Sequence, residues 1–314
     1  MILVTGGFGF IGSHTVRALL DLGEDCVVVQ RRTTEPPPVL AGAKVAVERV
    51  DVADRDALLA VGRRHDVTGI VHLAGSYPWR PEPAAAVDDT RTAIDGLLNV
   101  VEAAQEWGVR RLSVASTIGV YFGARNDGPF GEDVPLGMNA PVSIPTFKKV
   151  GELLGGFLAD ATGVEIVNHR ISGTWGPGGH DDPFFAAPAL VHAAARGTAP
   201  DLSGLMGPAF ADDGLDVNYV KDTCRAIALL QLAGKLNHRT YNVGSGRLTT
   251  NADIAAAIRK SVPDAQVDLP AGGAGPHLVL AVGRLRDDTG YRPGYDTERA
   301  AADYIAWLRA GHRR

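Results

Sequence analysis

The chain has 314 residues, of which 45% are hydrophobic and 21% charged, and its net charge is -5 at pH 7. That length accommodates one large core with a smaller lobe, and the composition is that of an ordinary globular protein. A net negative charge argues against a general nucleic-acid surface, and no uninterrupted apolar run is long enough for a membrane span.

In chain order, the apolar run Ile2 to Thr5 reads as a buried strand and Gly12 to Leu22 as the helix that follows it. No basic region or cleavage site precedes that strand, so no signal peptide is expected and the protein is expected to be cytoplasmic. Asp25 to Val29 reads as the second strand, and Pro36, Pro37 and Pro38 then forbid a continued helix or ladder. Further strands are expected over Val45 to Val50, Gly69 to Leu73, Arg111 to Ala115 and Val164 to Arg170. Between them, Ile94, Leu97, Leu98, Val101 and Ala104 recur at helical spacing within Thr92 to Glu106. Beyond residue 170 the alternation weakens, and Gly176 to Gly179 and Pro200 to Gly214 read as irregular, site-building loops. A helix over Asp222 to Ala233 and a strand over Thr240 to Val243 follow. Cys26 and Cys224 lie in apolar contexts without a CxxC partner, as expected of buried thiols in a reducing compartment.

This alternation predicts an α/β fold: a Rossmann-like doubly wound parallel sheet with a smaller, interleaved substrate-binding lobe. The expected division is a dinucleotide-binding domain over 1–170 plus about 217–245, with the lobe over 171–216 and 246–314.

Gly6, Gly9 and Gly12 stand three apart between the first strand and its helix. Such a turn aims backbone N–H groups, here around Phe10 and Ile11, and the positive helix end at a pyrophosphate. Glycines alone also fit a tight turn that binds nothing. An NAD site usually places a carboxylate on the ribose about 20 residues later, but Gln30, Arg31 and Arg32 occupy that stretch. Guanidinium groups suit a 2′-phosphate, so NADP(H) is expected in preference to NAD(H). Asp51 and Val52 are expected at the adenine edge. No HExxH, paired-Cys or Gly-x-Ser-x-Gly pattern is present, so neither a metal nor a nucleophilic triad is expected.

Over nearly its whole length the sequence resembles the extended short-chain dehydrogenase/reductase family. The ordered landmarks are TGGFGFIGSH, DVAD from Asp51, VHLAG from Val71, STIGVYFG from Ser116, Lys148 with Glu152, RISGTWGPG from Arg170, VNYVKD from Val217, YNVGSG from Tyr241 and GYRPGYD from Gly290. The resemblance implies that Leu73, Ala74 and Gly75 line the cofactor, that Thr117 and Lys148 belong to the catalytic group, and that Lys148 also binds the cofactor by holding the nicotinamide ribose. It also implies a tyrosine four residues before Lys148 and a helper asparagine three residues before Gly96. Ile144 and Ala93 stand there instead.

Isoleucine cannot transfer a proton, so the proton needs another source. Tyr121 is one candidate, although packing beside the loop is its commoner role, and His72 reads as a satisfied strand histidine. Ser116, Tyr77, Trp79, Tyr121 and Trp175 are candidates for the substrate pocket, with Ser76, His169 and His180 as others. Pro78, Pro177, Phe184, Phe185, Leu205 and Met206 are candidate apolar lining. Leu215 replaces an arginine that often binds the diphosphate in nucleotide-sugar enzymes, and Asp212, Asp213 and Asp216 would repel one.

The site therefore resembles an atypical branch of the family that reduces aromatic polyketides of the angucyclinone type. The expectation is an NADPH-dependent ketoreductase with substrate-assisted proton handling, part of antibiotic biosynthesis. Alternatives are a nucleotide-sugar epimerase or dehydratase and a non-catalytic NADP(H)-binding regulator. Expected partners are a small-molecule substrate, with no nucleic acid and no membrane, in a monomer or homodimer.

Overall fold

The structure is a computed structural model and describes residues 1–75, 82, 84–139, 142–179, 185–273, 275 and 277–313. Seven parallel strands form the main sheet: β1 (Ile2–Thr5), β2 (Cys26–Gln30), β3 (Ala46–Arg49), β4 (Gly69–His72), β5 (Arg111–Thr117), β6 (Glu165–Ile171) and β10 (Thr240–Val243). Their order is β10-β6-β5-β4-β1-β2-β3, the doubly wound arrangement expected from the sequence. Parallel strands are covered on both faces, so their sequences are continuous apolar runs such as Ile-Leu-Val and Cys-Val-Val-Val.

Alternate side chains feed opposite faces. Leu3, Val27, Val29, Ile70 and Leu112 pack toward α2 (Arg55–Gly62), α3 (Ala86–Glu106) and α4 (Ser143–Thr162), meeting Leu58, Leu97, Val100 and Ala159. Val4, Val28 and Val71 pack toward α1 (Phe10–Asp21) and α6 (Val220–Leu232), meeting Val16, Leu19, Ala226, Ile227 and Leu230. Cys26 and Cys224 are both buried, and burial pushes each thiol up to about 12, which makes them inert.

The lobe has its own core. Trp175, Tyr219 and Val217 pack with α5 (Ala187–Arg196), α7 (Asn251–Ser261) and α9 (Thr297–Arg309). Between these elements lie β7 (Gly173–Trp175) paired with β9 (Val217–Tyr219), and β8 (Gly214–Leu215) paired with β11 (Thr249–Thr250). Helix α8 (Gly283–Thr289) joins the face of the sheet occupied by α6 through the fully buried Leu285. No helix among the described residues is long and apolar enough to cross a membrane.

Three boundaries differ from the sequence reading. Helix α3 starts at Ala86 rather than Thr92, because its first two turns are polar (Asp88, Asp89, Thr90, Arg91) and carry no apolar stripe. Helix α1 starts at Phe10, with Gly9 as its N-cap. Strand β5 continues to Thr117, which brings that side chain to the carboxyl edge of the sheet.

Candidate active site

The carboxyl ends of β1 and β4 form the first wall of the candidate site. Gly6 has φ +66, and a Cβ on Gly12 would lie 2.1 Å from the Gly6 carbonyl, so only glycine lets the helix come this close to the turn. The first turn of α1 has no side-chain cap and no acidic residue, so its N–H groups and dipole present a positive end to the cleft. Thr5 Oγ1 accepts the N–H groups of Leu73 and Ala74 at 3.1 Å and bonds His72 Nδ1 at 2.8 Å. A Cβ on Gly6 would lie 3.0 Å from the Ala74 nitrogen, so the 73–75 segment lies directly against the glycine turn. These features fit a dinucleotide pyrophosphate.

Burial, followed by the Lys148 charge, pushes the His72 imidazole down to about 3; it is a neutral structural group. His14, missed by the sequence reading, is buried and pushed down to about 4 mainly by desolvation. Its neutral ring donates from Nε2 to the Pro177 carbonyl at 2.8 Å and so pins the 176–179 loop over α1.

At the adenosine end, Arg31 and Arg32 are exposed, and Arg31 Nη1 lies 3.4 Å from Asp51 Oδ2. Asp51 also accepts the Ala53 N–H at 3.0 Å. Asn99 Nδ2 donates to the carbonyls of Val52 and Ala53 at 3.0 and 3.1 Å, which fixes this loop. Asn99 was not singled out from sequence, although a polar residue inside the apolar stripe of a helix was a readable signal.

Thr117 closes β5, and its hydroxyl accepts the Gly119 N–H at 3.2 Å in the short turn over 118–121. A Cβ on Gly119 would lie 3.0 Å from Pro145, so the first turn of α4, with Ile144 and then Lys148, sits against the end of β5. Lys148 is half-buried. Burial pushes its ammonium down to about 8, and the negative charge of Glu152 opposes that shift. Ala93 lies on α3, half-buried.

Several candidate pocket residues lie elsewhere. Trp175 is buried in the lobe core, its ring 5.7 Å from that of Tyr219, so it forms no pocket wall. Tyr121 is fully buried: its hydroxyl donates to Asn242 Oδ1 at 2.9 Å and accepts from Arg170 Nη1 at 2.8 Å. Burial raises its phenol pKa, against the opposing charge of Arg170, so it is a packing residue and not the displaced acid. Ser116 is buried and donates to Glu152, which removes it from the substrate. His169 is fully buried in β6. Ser76, Tyr77, Pro78, Trp79, His180 and Phe184 lie outside the described residues.

Phe185, Leu205 and Met206 line a cavity of about 280 Å³, together with Leu215, Val217 and Asn251. A second cavity of about 370 Å³ shares Phe185 and Leu205 and adds His192, Arg196, Ser203 and Arg313. Two of the three aspartates expected to repel a diphosphate are engaged by backbone N–H groups. Asp213 accepts the N–H groups of Phe210 and Gly275 at 2.8 and 3.1 Å, and buried Asp216 accepts those of Ser245 and Gly246 at 2.8 and 2.9 Å. Both carboxylates are backbone clamps.

A sequence model of the NAD dependent epimerase/dehydratase family matches residues 2–244. The chain belongs to that family. It is 28% identical over 331 residues to a dTDP-glucose 4,6-dehydratase of Streptomyces niveus, covering 98% of this chain and 92% of that protein. It is 27% identical over 320 residues to a UDP-glucose 4-epimerase of Lacticaseibacillus casei, covering 94% and 92%. Among solved structures, the UDP-glucose 4-epimerase of Thermus thermophilus in complex with NAD is 25% identical with a TM-score of 0.79, covering 98% of both chains. The Thermotoga maritima UDP-glucose 4-epimerase with UDP-glucose has a TM-score of 0.81 at 22% identity, covering 99% of both. Membership of the epimerase/dehydratase family makes the protein an NAD(P)-dependent oxidoreductase-type enzyme. It also overturns the expected polyketide ketoreductase: relatives that span nearly the whole chain include dehydratases and epimerases named for nucleotide sugars.

Proposed function

We propose that this enzyme carries out reversible oxidation at C4 of a nucleotide-linked hexose, in the manner of a 4-epimerase. One observation carries the reading: full-length relatives named as 4-epimerases and as 4,6-dehydratases have the hexose C4 in common. A bound nicotinamide dinucleotide would take up and return the hydride. Thr117 donates a hydrogen bond to the C4 oxygen. Lys148, with a pKa near 8, accepts the hydroxyl proton and gives it back, a role Ile144 cannot fill. The apolar cavity at Phe185, Met206 and Leu215 takes the base, and Arg196 and Arg313 in the adjoining cavity face the phosphates.

Epimerisation is favoured over dehydration because 4,6-elimination also needs a base at C5 and an acid at O6. The two residues after Thr117 are Ile118 and Gly119, and nearby Glu152 is bound by Arg170 and Ser116. Incubation with UDP-glucose and dTDP-glucose, followed by proton NMR of the sugar, is expected to show the 4-epimer. A 4-keto-6-deoxy sugar would reassign the enzyme as a dehydratase, and no change in either sugar would overturn the reading.

We further propose that NADP(H) is preferred, since Gln30 ends β2 without a carboxylate and Arg31 and Arg32 flank the ribose position. Charge-assisted hydrogen bonds contribute about 1.5–3 kcal/mol each. Arg31→Ser with Arg32→Ser is therefore expected to weaken NADPH binding by about 10-fold or more in a fluorescence titration and NADH binding little. Equal losses would show that the 2′-phosphate is not read there.

A further inference from the structure

One helical turn beyond Lys148 lies a polar cluster that proton transfer itself does not use. Ser116 and Arg170 are register partners on β5 and β6 and reach the same carboxylate. Arg170 Nε and Nη2 donate to Glu152 at 3.0 and 2.7 Å, and Ser116 donates to Glu152 Oε1. Both charged side chains are largely buried, at 10% exposure for Glu152 and 6% for Arg170. Arg170 continues through the Tyr121 hydroxyl to Asn242, whose Nδ2 donates to the Phe130 and Ala281 carbonyls at 2.8 and 3.0 Å. The carboxylate is therefore held by two strands of the sheet, β5 and β6, and Arg170 is in turn braced by Tyr121 of the turn after β5 and through it by Asn242 of β10. Glu152 is also one helical turn beyond Lys148, on the same side of α4.

We propose that Glu152 is a positioning residue. Its carboxylate, clamped by Arg170 and Ser116, fixes the placement and the charge environment of the Lys148 side chain beside Thr117. The charged and titratable groups around Lys148 make this assignment specific. Strand β4 contributes His72, a neutral ring; β5 contributes only the hydroxyls of Ser116 and Thr117; β6 contributes Arg170, already paired; and the turn contributes the buried Tyr121. Helix α3 turns Asp88 and Asp95 to solvent, holds the half-buried Asp89 in its first turn, and pairs Glu102 with Arg55. Glu152 is the negative charge that opposes the downward pull of burial on Lys148.

The inference rests on Lys148 handling the proton, and the test separates the two. Full-length protein labelled with ¹³Cε-lysine reports the Lys148 pKa by NMR titration whether or not the enzyme turns over. Glu152→Gln is expected to lower that pKa by about one unit and to move the rise of kcat/KM with pH to lower pH by the same amount. Because Lys148 is then a weaker and less well-placed base, kcat on the high-pH plateau is expected to fall with KM little changed. If Glu152→Gln does not fold, Glu152→Asp, which draws the charge back by one methylene, is expected to give a smaller shift in the same direction. An unchanged Lys148 pKa in the folded variant overturns the proposal. A shifted pKa with an unmoved pH–activity profile leaves Glu152 in this role and removes Lys148 from proton transfer.

Discussion

Lys148→Met is expected to lower kcat by about 10²–10⁴-fold, the usual contribution of a positioned acid–base group. Lys148→Arg should fail almost as badly, because a guanidinium keeps the charge but cannot release a proton near neutrality. Both variants retain the glycine turn and the 73–75 wall, so binding of the dinucleotide should fall far less than turnover. The wild-type pH profile follows from the same assignment. A lysine that must be neutral to accept the C4 hydroxyl proton is increasingly charged below about 8, so kcat/KM should rise through that region and level off above it. Steady-state kinetics between pH 6 and 10 checks both points. A flat profile together with an active Lys148→Met would place the proton elsewhere.

The second large effect is a gain. Ile144 stands one helical turn before Lys148, in the first turn of α4 and half-buried. Ile144→Tyr is expected to restore the tyrosine–lysine pair found in most of the wider family and to raise kcat by about 10-fold or more. The apparent pKa should then become that of a phenol lowered by the neighbouring ammonium. A variant that folds and binds dinucleotide but gains nothing would show that the proton does not pass through this corner of the site.

Much of this was legible in the sequence, for physical reasons. Buried parallel strands must be apolar throughout, so β1, β2, β4 and β5 were readable as runs, and the first helix was readable from Gly6, Gly9 and Gly12. The lobe was less so. Strands of two or three residues such as β8 and β9 are too short to display a period, and Trp175 in a Gly- and Pro-rich stretch looked like a pocket wall because sequence does not show which way a side chain packs.

The roles of two acidic residues were hidden for a related reason. Asp213 and Asp216 were visible as charges, but the backbone N–H groups that engage them come from segments remote in sequence, including Gly275 and Ser245. Without those partners in view, two carboxylates that clamp backbone read only as a repulsive surface. Glu152 shows the opposite case. Its spacing from Lys148 was visible, but the clamp became apparent only once β5 and β6 placed Ser116 beside Arg170.

The most direct test of the central claim uses UDP-glucose carrying deuterium at C4. When the reaction is quenched in alkali within the first turnover, mass spectrometry of the extracted dinucleotide is predicted to find deuterium in the reduced nicotinamide ring, and after many turnovers the deuterium is predicted back at C4 of both epimers. An unlabelled dinucleotide, with UDP-glucose and its dTDP counterpart both unaltered, would contradict C4 oxidation of a nucleotide-linked hexose.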